Sequence, residues 1–178
     1  LEWNQASDEK TKLANELLFE IIEIGAVKLN DKKQQIDSFH ELIKPQVFHR
    51  MNQVTGELIH IQMEQLSSCR SFEEVAQDFL KWCGEEYVFC TWGSSDLTVL
   101  QRNMEYYHMQ PLSGGPLKYY DIQKLFSIAY EDRKTRRSLK YAVDYLEIEQ
   151  DIAFHRADSD AYYTAKVMSC LLYTSDAA

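Results

Sequence analysis

Apolar residues follow two different periods along the chain, which predicts strands in its first part and mainly helices later. Residues 20–29 are rich in β-branched residues and partly alternate between apolar and polar side chains, and residues 36–44 alternate again. This is the pattern of half-buried strands. Asn30 and Asp31 supply turn residues between the two segments, and Pro45 ends the second. We therefore expect a β-hairpin at residues 20–44.

Helical spacing of apolar residues begins at residue 71. Ser71 and Glu74 form the sequence signature of a capping box, which marks the start of a helix over residues 71–83. Two short strands are predicted at 87–92 and 118–122, and each leads into a helix. The predicted helices cover residues 71–83, 93–108, 122–130, 138–145 and 157–172. A hairpin followed by alternating strands and helices indicates an α/β domain with three layers, in which helices flank a five-stranded mixed sheet.

The two ends of the chain carry separate expectations. Residues 1–3 are interpreted as the end of a truncated first strand, and the polar residues 4–16 as a loop. Residues 173–178 change character abruptly and resemble translated sequencing-adapter sequence. We therefore predict one domain over residues 1–172 and a non-native tail at 173–178.

Composition then narrows the classes of protein. A chain of 178 residues that is 45% hydrophobic suits one domain with a proper core, and its apolar runs are too short to cross a membrane. The net charge of −9 excludes a protein that coats nucleic acid in bulk, although not a nuclease with a carboxylate metal site. No cysteine pair has CxxC spacing, so we expect reduced thiols in a cytoplasmic protein; the four are Cys69, Cys83, Cys90 and Cys170.

Candidate chemistry is concentrated near the C-terminus, where His155 precedes Asp160 by five positions. Asp160 heads a helical row that continues through Thr164, Val167 and Leu171. A carboxylate on such a core-facing row is costly unless it is paired or binds a metal. Two interpretations stay open from this segment alone: a catalytic site, or an ordinary acidic residue in a first helical turn.

Two further carboxylates fall at predicted strand ends, where α/β sheets assemble their sites. Glu2 lies at the end of the predicted first strand, and Asp96 follows the strand at 87–92. Together with Asp160 they would suit Mg²⁺ or Mn²⁺. Two such ions about 4 Å apart can support phosphodiester cleavage.

These residues, in this order and spacing, give the chain a resemblance to the DEDDh 3′–5′ exonucleases. This family contains RNase T and the proofreading subunit of bacterial DNA polymerase III, and the chain looks closest to the Eri-like and KapD-like branch. Residues 1–3 (LEW) resemble the end of the family's Asp-x-Glu motif, and residues 91–96 (TWGSSD) with Asn103 resemble the second motif. His155 and Asp160 fit the third motif, His-x4-Asp. The sister group has tyrosine where this chain has Arg156, so the histidine type is indicated.

The resemblance implies a ribonuclease H-like fold and a 3′–5′ exonuclease that acts on single-stranded RNA or DNA ends with two Mg²⁺ or Mn²⁺ ions. Glu2, Asp96 and Asp160 would be the metal ligands, and His155 would be the general base. Trp3 and Asn103 are the candidate substrate contacts, although tryptophan at such a position is more often a packing residue. A non-catalytic nucleic-acid-binding module on the same fold is the alternative.

Two features modify this expectation. The family's first aspartate would precede Leu1, so we predict little or no activity for the 178-residue polypeptide. A basic cluster lies between the second and third motifs, and it comprises Arg133, Lys134, Arg136, Arg137 and Lys140. It is either a solvated loop and helix start or an edge that steers phosphates.

Overall fold

The computed structural model describes residues 1–8 and 16–175, with side chains as far as Leu171. Three strands form an antiparallel sheet in the order β1-β2-β3, and β4 pairs with β5 in parallel. The predicted α/β architecture with both strand orientations is confirmed. The five strands are divided between two sheets, however, because among the described residues β4 and β5 form ladder bonds only with each other. The strands are β1 (Glu2–Gln5), β2 (Phe19–Leu29), β3 (Gln35–Leu42), β4 (Phe89–Thr91) and β5 (Tyr119–Asp121).

Helices surround these strands, and all five predicted helices are present. The predicted capping box is also present: Ser71 Oγ accepts a hydrogen bond from the Glu74 amide at 3.3 Å, and the Glu74 carboxylate accepts one from the Ser71 amide at 3.0 Å. The first two helices below were not predicted. The helices are α1 (Gln53–Ile59), α2 (Met63–Leu66), α3 (Phe72–Cys83), α4 (Ser95–Tyr106), α5 (Ile122–Tyr130), α6 (Leu139–Tyr145) and α7 (Ala157–Ser175).

The central hairpin strand β2 is the element that the other layers cover. Its residues Ile21, Ile22 and Ile24 are fully buried. Ile21 and Ile24 pack with α3 and α4, and Ile22 packs in a separate cluster with α1 and α2. Helix α7 also lies against β2. Burial on both faces of β2 explains why the successive residues Ile21 and Ile22 are both apolar instead of alternating with polar residues.

The first strand extends further than predicted. Asn4, which was assigned to a loop, lies within β1 and is fully buried. Its side chain donates to the Arg50 carbonyl and accepts from the Asn52 amide, both at 2.9 Å. These bonds satisfy the buried amide, so a polar residue is stable inside the strand. Residues 9–15 of the predicted loop lie outside the described residues.

Helix α7 continues to Ser175, so its last three residues fall within the predicted tail at 173–178. The side chains of this tail lie outside the described part of the chain, and its non-native origin stays a prediction. The four cysteines carry free thiols. None of the helices in the described part of the chain has the length and apolar character that crossing a lipid bilayer requires.

Candidate active site

The predicted third motif lies at the start of α7, where His155 and Asp160 are joined by a hydrogen bond. The His155 amide donates to Asp160 Oδ1 at 3.2 Å. His155 adopts a left-handed backbone conformation, with φ of 66°, and its side chain is exposed. Burial raises the pKa of the half-buried Asp160 carboxyl, and Asp96 adds to the rise, whereas the bond from His155 opposes it. The backbone of His155 is thus bonded to a carboxylate whose charge is disfavoured, and the imidazole lies at the surface.

Glu2 and Asp96 face the same region from two other elements. Asp96 lies in the first turn of α4. Glu2 is the first residue of β1 and not its end as predicted, because the strand continues to Gln5. Burial raises the pKa of Glu2 to about 7, and the charges of Asp160, Glu23 and Asp96 contribute to the rise. Glu2, Asp96 and Asp160 therefore form one electrostatically coupled set of carboxylates.

A positive charge lies among these carboxylates in this chain. The ammonium group of Leu1 is 3.3 Å from Asp96 Oδ1. Burial lowers the pKa of this ammonium, but Asp96, Glu2 and Asp160 raise it more, so the net pKa lies above the ordinary value. Asp96, Glu2 and Asp160 all act on this one group, so the three side chains face a common region.

The two predicted substrate contacts, Trp3 and Asn103, both contact other residues of the domain. Trp3 is half-buried and packs on Phe19, with the ring centroids 5.9 Å apart. Asn103 has no exposed surface. Its Oδ1 accepts from the Ile21 amide at 3.1 Å, and its Nδ2 donates to the carbonyls of Phe19 and Val99 at 2.8 and 2.9 Å. Asn103 thereby ties α4 to β2, and this buried position does not favour the predicted contact with substrate.

A buried glutamate on β2 positions the third motif, and sequence reasoning missed it. Glu23 is fully buried, and its Oε1 accepts from Arg156 Nη2 at 2.6 Å and from Arg156 Nε at 2.9 Å. Its Oε2 accepts from the Ala157 amide at 3.2 Å. The ion pair fixes the residue directly after His155 and the first residue of α7. The sequence signal for a buried partner was Arg156, which served above only to distinguish the histidine type of third motif from the tyrosine type.

Gly25, two residues further along β2, permits this close approach of α7. A Cβ atom at position 25 would lie 2.2 Å from both the Ala157 carbonyl carbon and the Asp158 amide nitrogen. Backbone atoms cannot yield as a flexible side chain can, so only glycine fits here. Gly25 and Glu23 together determine where His155 and Asp160 lie relative to the sheet.

A second cluster contains His40, which lies on β3 beside the buried Glu23. Within the described part of the chain, Glu23, His40 and Asp158 form the one group of three His, Cys, Asp or Glu residues with ligand atoms within 4.8 Å of one another. Arg156 already neutralises Glu23 in this group, which does not favour a metal there.

The ligand atoms of the predicted set, Glu2, Asp96 and Asp160, are not gathered to within the same 4.8 Å distance. The structure couples these three carboxylates electrostatically. Their role as metal ligands stays a prediction.

Comparison with known families identifies the chain. The RNase T family model, described as "Exonuclease", matches residues 9–168, which is most of the sequence. The chain belongs to the RNase T exonuclease family. The family predicted from the three motifs is therefore confirmed. No curated protein sequence matches the chain.

Solved structures of several exonucleases have the same fold as this chain. A full-length 3′-exonuclease superposes with a TM-score of 0.81 at 19% identity, covering 98% of this chain and 79% of the other. The nuclease domain of 3′hExo, a DEDDh family member bound to rAMP, gives 0.80 at 20% identity, with 97% and 90% covered. Exonuclease X in complex with 5′ overhanging duplex DNA gives 0.65 at 16% identity, with 88% and 84% covered.

Proposed function

We propose that the site at Glu2, Asp96, His155 and Asp160 is that of a metal-dependent 3′–5′ exonuclease that hydrolyses phosphodiester bonds at single-stranded RNA or DNA ends. The observation that carries the proposal is that Glu2, Asp96 and Asp160 face one region, where the backbone amide of the exposed His155 is hydrogen-bonded to Asp160. Family membership supplies the reaction class, which is exonucleolytic hydrolysis.

Each residue has a role that its surroundings support. Glu2, Asp96 and Asp160 would hold two Mg²⁺ or Mn²⁺ ions, since hard cations prefer carboxylate oxygens. When bound, such ions activate water and neutralise charge on the leaving oxygen. The exposed His155 would take the proton from the attacking water, because imidazole titrates near neutral pH. Its backbone bond to Asp160 would keep the ring beside the carboxylates.

Substrate class is supported by proteins of the same fold and stays open between the two sugar types. The 3′hExo domain is bound to rAMP, and exonuclease X is in complex with duplex DNA. Distinguishing RNA from DNA depends on contacts with the 2′-hydroxyl group. We therefore propose nucleic acid 3′ ends as the partner. A cytoplasmic location remains a prediction from cysteine usage.

The family's first motif sets the design of the test, because its aspartate would lie directly before Leu1. The 178-residue polypeptide and a version with an aspartate added directly before Leu1 are incubated with 5′-labelled RNA and DNA 12-mers, with Mg²⁺ or with EDTA. We expect stepwise 3′ trimming with Mg²⁺ in the extended version and little or none in the 178-residue polypeptide. His155→Ala in the extended version should lower kcat by about 10²- to 10⁴-fold, the usual contribution of a general base.

The outcomes separate the two candidate functions. Binding of the labelled strand without any Mg²⁺-dependent trimming in the extended version would reject the nuclease and support a non-catalytic binding module. Lys32→Ala serves as the matched control, because Lys32 is exposed in the turn between β2 and β3 and takes no part in the site. Its trimming rate should equal that of the parent.

A further inference from the structure

The predicted basic cluster lies next to an exposed pair of tyrosines on α6. Tyr141 and Tyr145 stand one helical turn apart, with ring centroids separated by 6.2 Å and planes inclined by 22°. Tyr145 is 50% exposed and Tyr141 36% exposed. The Arg137 guanidinium lies 4.6 Å from the centroid of the Tyr141 ring. We call the five residues Arg136, Arg137, Lys140, Tyr141 and Tyr145 the aromatic–cationic surface.

The tyrosine rings are held in place from beneath. Phe126 of α5 contacts the rings of Tyr141 and Tyr145 at 6.4 and 5.6 Å, edge to face. Tyr130 packs on Tyr145 at 5.5 Å. Phe126 is fully buried, so the two exposed tyrosines pack directly against the hydrophobic core. A rigid ring with one face in water loses little conformational entropy when a nucleobase stacks on it.

Two hydrogen bonds and one cation–π contact connect this surface to the segments next to Asp96 and His155. The Arg137 carbonyl accepts from Trp92 Nε1 at 3.2 Å and from Gln123 Nε2 at 2.8 Å. Trp92 belongs to the turn that leads from β4 to Asp96. On the other side, Lys140 Nζ lies 5.9 Å from the centroid of the Phe154 ring, and Phe154 directly precedes His155. The surface therefore borders the site.

The local charge is opposite to that of the whole protein. Five basic and three acidic residues lie between positions 131 and 144, a net charge of +2 on a chain of net charge −9. A polyanion approaching the acidic domain is repelled elsewhere and attracted here.

The cations of this surface are available to phosphate. Arg136, Arg137 and Lys140 pair with Asp121, Glu131 and Asp144 at 3.3, 3.2 and 2.8 Å. All three basic side chains are at least 39% exposed. The Lys140–Asp144 pair is exposed on both sides and the Arg136 guanidinium is exposed on its own side, so a phosphate can compete for these two cations.

We propose that the aromatic–cationic surface binds the single-stranded segment upstream of the 3′ end, with bases stacked on Tyr141 and Tyr145 and phosphates beside Arg136 and Lys140. The inference rests on the proposed function, because it names the path by which the strand reaches the site. The expected ligand is a single strand, because the bases of a duplex are already stacked on one another and do not offer a free face to a tyrosine.

Equilibrium binding tests the stacking part without any catalysis. Fluorescence anisotropy with labelled dT12 and rU12 is measured in EDTA for the 178-residue chain. Tyr145→Ala should weaken binding at least about 5-fold, and Tyr145→Phe should retain parental affinity, because base–aromatic stacking needs the ring and not the hydroxyl. Tyr106→Ala is the matched control, since Tyr106 is 37% exposed near the end of α4 and should have no effect. Equal affinities for Tyr145→Ala and Tyr145→Phe would overturn the proposal.

Salt dependence tests the phosphate part. Each phosphate contact to a single strand contributes about 0.7 to the slope of log K against log salt. The double variant Arg136→Ala with Lys140→Ala should therefore reduce the slope by about 1.4, whereas Lys32→Ala leaves it unchanged. An unchanged slope in the double variant, or equal affinity of the parent for duplex and single strand, would contradict the assignment.

Substrate length separates a failure of this inference from a failure of the proposed function. In the version that carries the added aspartate, Tyr145→Ala should raise KM for a 12-mer and leave kcat, and KM for a dinucleotide, unchanged. Equal effects on both lengths would refute an upstream binding surface even if the enzyme is active. If no version hydrolyses anything, the anisotropy and salt results still decide whether the surface binds single strands.

Discussion

Replacing Gly25 with alanine tests whether the close approach of β2 and α7 positions His155 and Asp160, the proposed catalytic residues. The added Cβ would begin 2.2 Å from the Ala157 carbonyl carbon, and ordinary contact starts at 3.4 Å. The start of α7 must therefore move back by about 1.2 Å. Because the clash is with backbone, rotation of a side chain cannot relieve it.

The magnitude follows from what the displaced segment carries. Overpacking of this kind costs about 1–3 kcal/mol, which for a chain of this size lowers Tm by roughly 2–12 °C. His155 and Asp160 flank Ala157, so they move with it. A misplacement of about 1 Å in a catalytic group can cost about 100-fold in rate. We expect a loss of kcat of that order at a temperature where the variant is still folded.

The assay compares Gly25→Ala with Gly114→Ala in the version that carries an aspartate before Leu1. A Cβ at Gly114 meets no atom within 4 Å, so this control makes the same chemical change in open space. Thermal melts followed by circular dichroism give the stability, and 3′ trimming of a labelled 12-mer gives kcat. Parental Tm and kcat in Gly25→Ala would refute the reasoning, and so would equal losses in both variants.

Three further predictions concern groups around the site. Glu23→Ala removes the acceptor of the buried Ala157 amide and of the Arg156 guanidinium, and should cost about 1–3 kcal/mol in urea unfolding, whereas Asp78→Asn removes an exposed ion pair and should cost less than about 1 kcal/mol. Burial raises the pKa of Glu2 from 4.5 to about 7. Between these pH values the folded metal-free chain keeps a proton that the unfolded chain releases, so the free energy of unfolding should fall as pH rises. Glu2→Gln should flatten this pH dependence in thermal melts taken across that range. Asn103→Ala leaves the buried Ile21 amide without an acceptor and should cost about 1–3 kcal/mol of unfolding free energy. KM for a dinucleotide should stay unchanged. A raised KM would instead support the predicted contact of Asn103 with substrate.

Most of the elements could be predicted because each is locally consistent. The capping box at Ser71 and the apolar rows of α3, α4 and α7 follow from the helical period. The hairpin follows from alternation and turn residues. Helices α1 and α2 were missed because they are short, with seven and four residues. They form where Asn52 caps the first and Ile59, Ile61 and Leu66 pack on Ile22, which no local pattern indicates.

The site could be predicted only as far as motif spacing reaches. Spacing indicated His155 and Asp160 as neighbours, and the hydrogen bond between them bears out that proximity. It could not indicate Glu23, because a lone glutamate in an alternating strand has the pattern of a solvent-facing residue. Its burial depends on Arg156, which is 133 positions away in the sequence.

The pairing of Glu23 with Arg156 fixes the backbone next to His155 in this structure. A guanidinium at position 156 supplies two hydrogen bonds to Glu23, and the Ala157 amide supplies a third. Those bonds fix the backbone directly after His155, which is where its left-handed conformation ends. A tyrosine at position 156 could donate one hydrogen bond at most and could not neutralise the buried charge. The backbone conformation beside His155 therefore depends on the arginine at position 156.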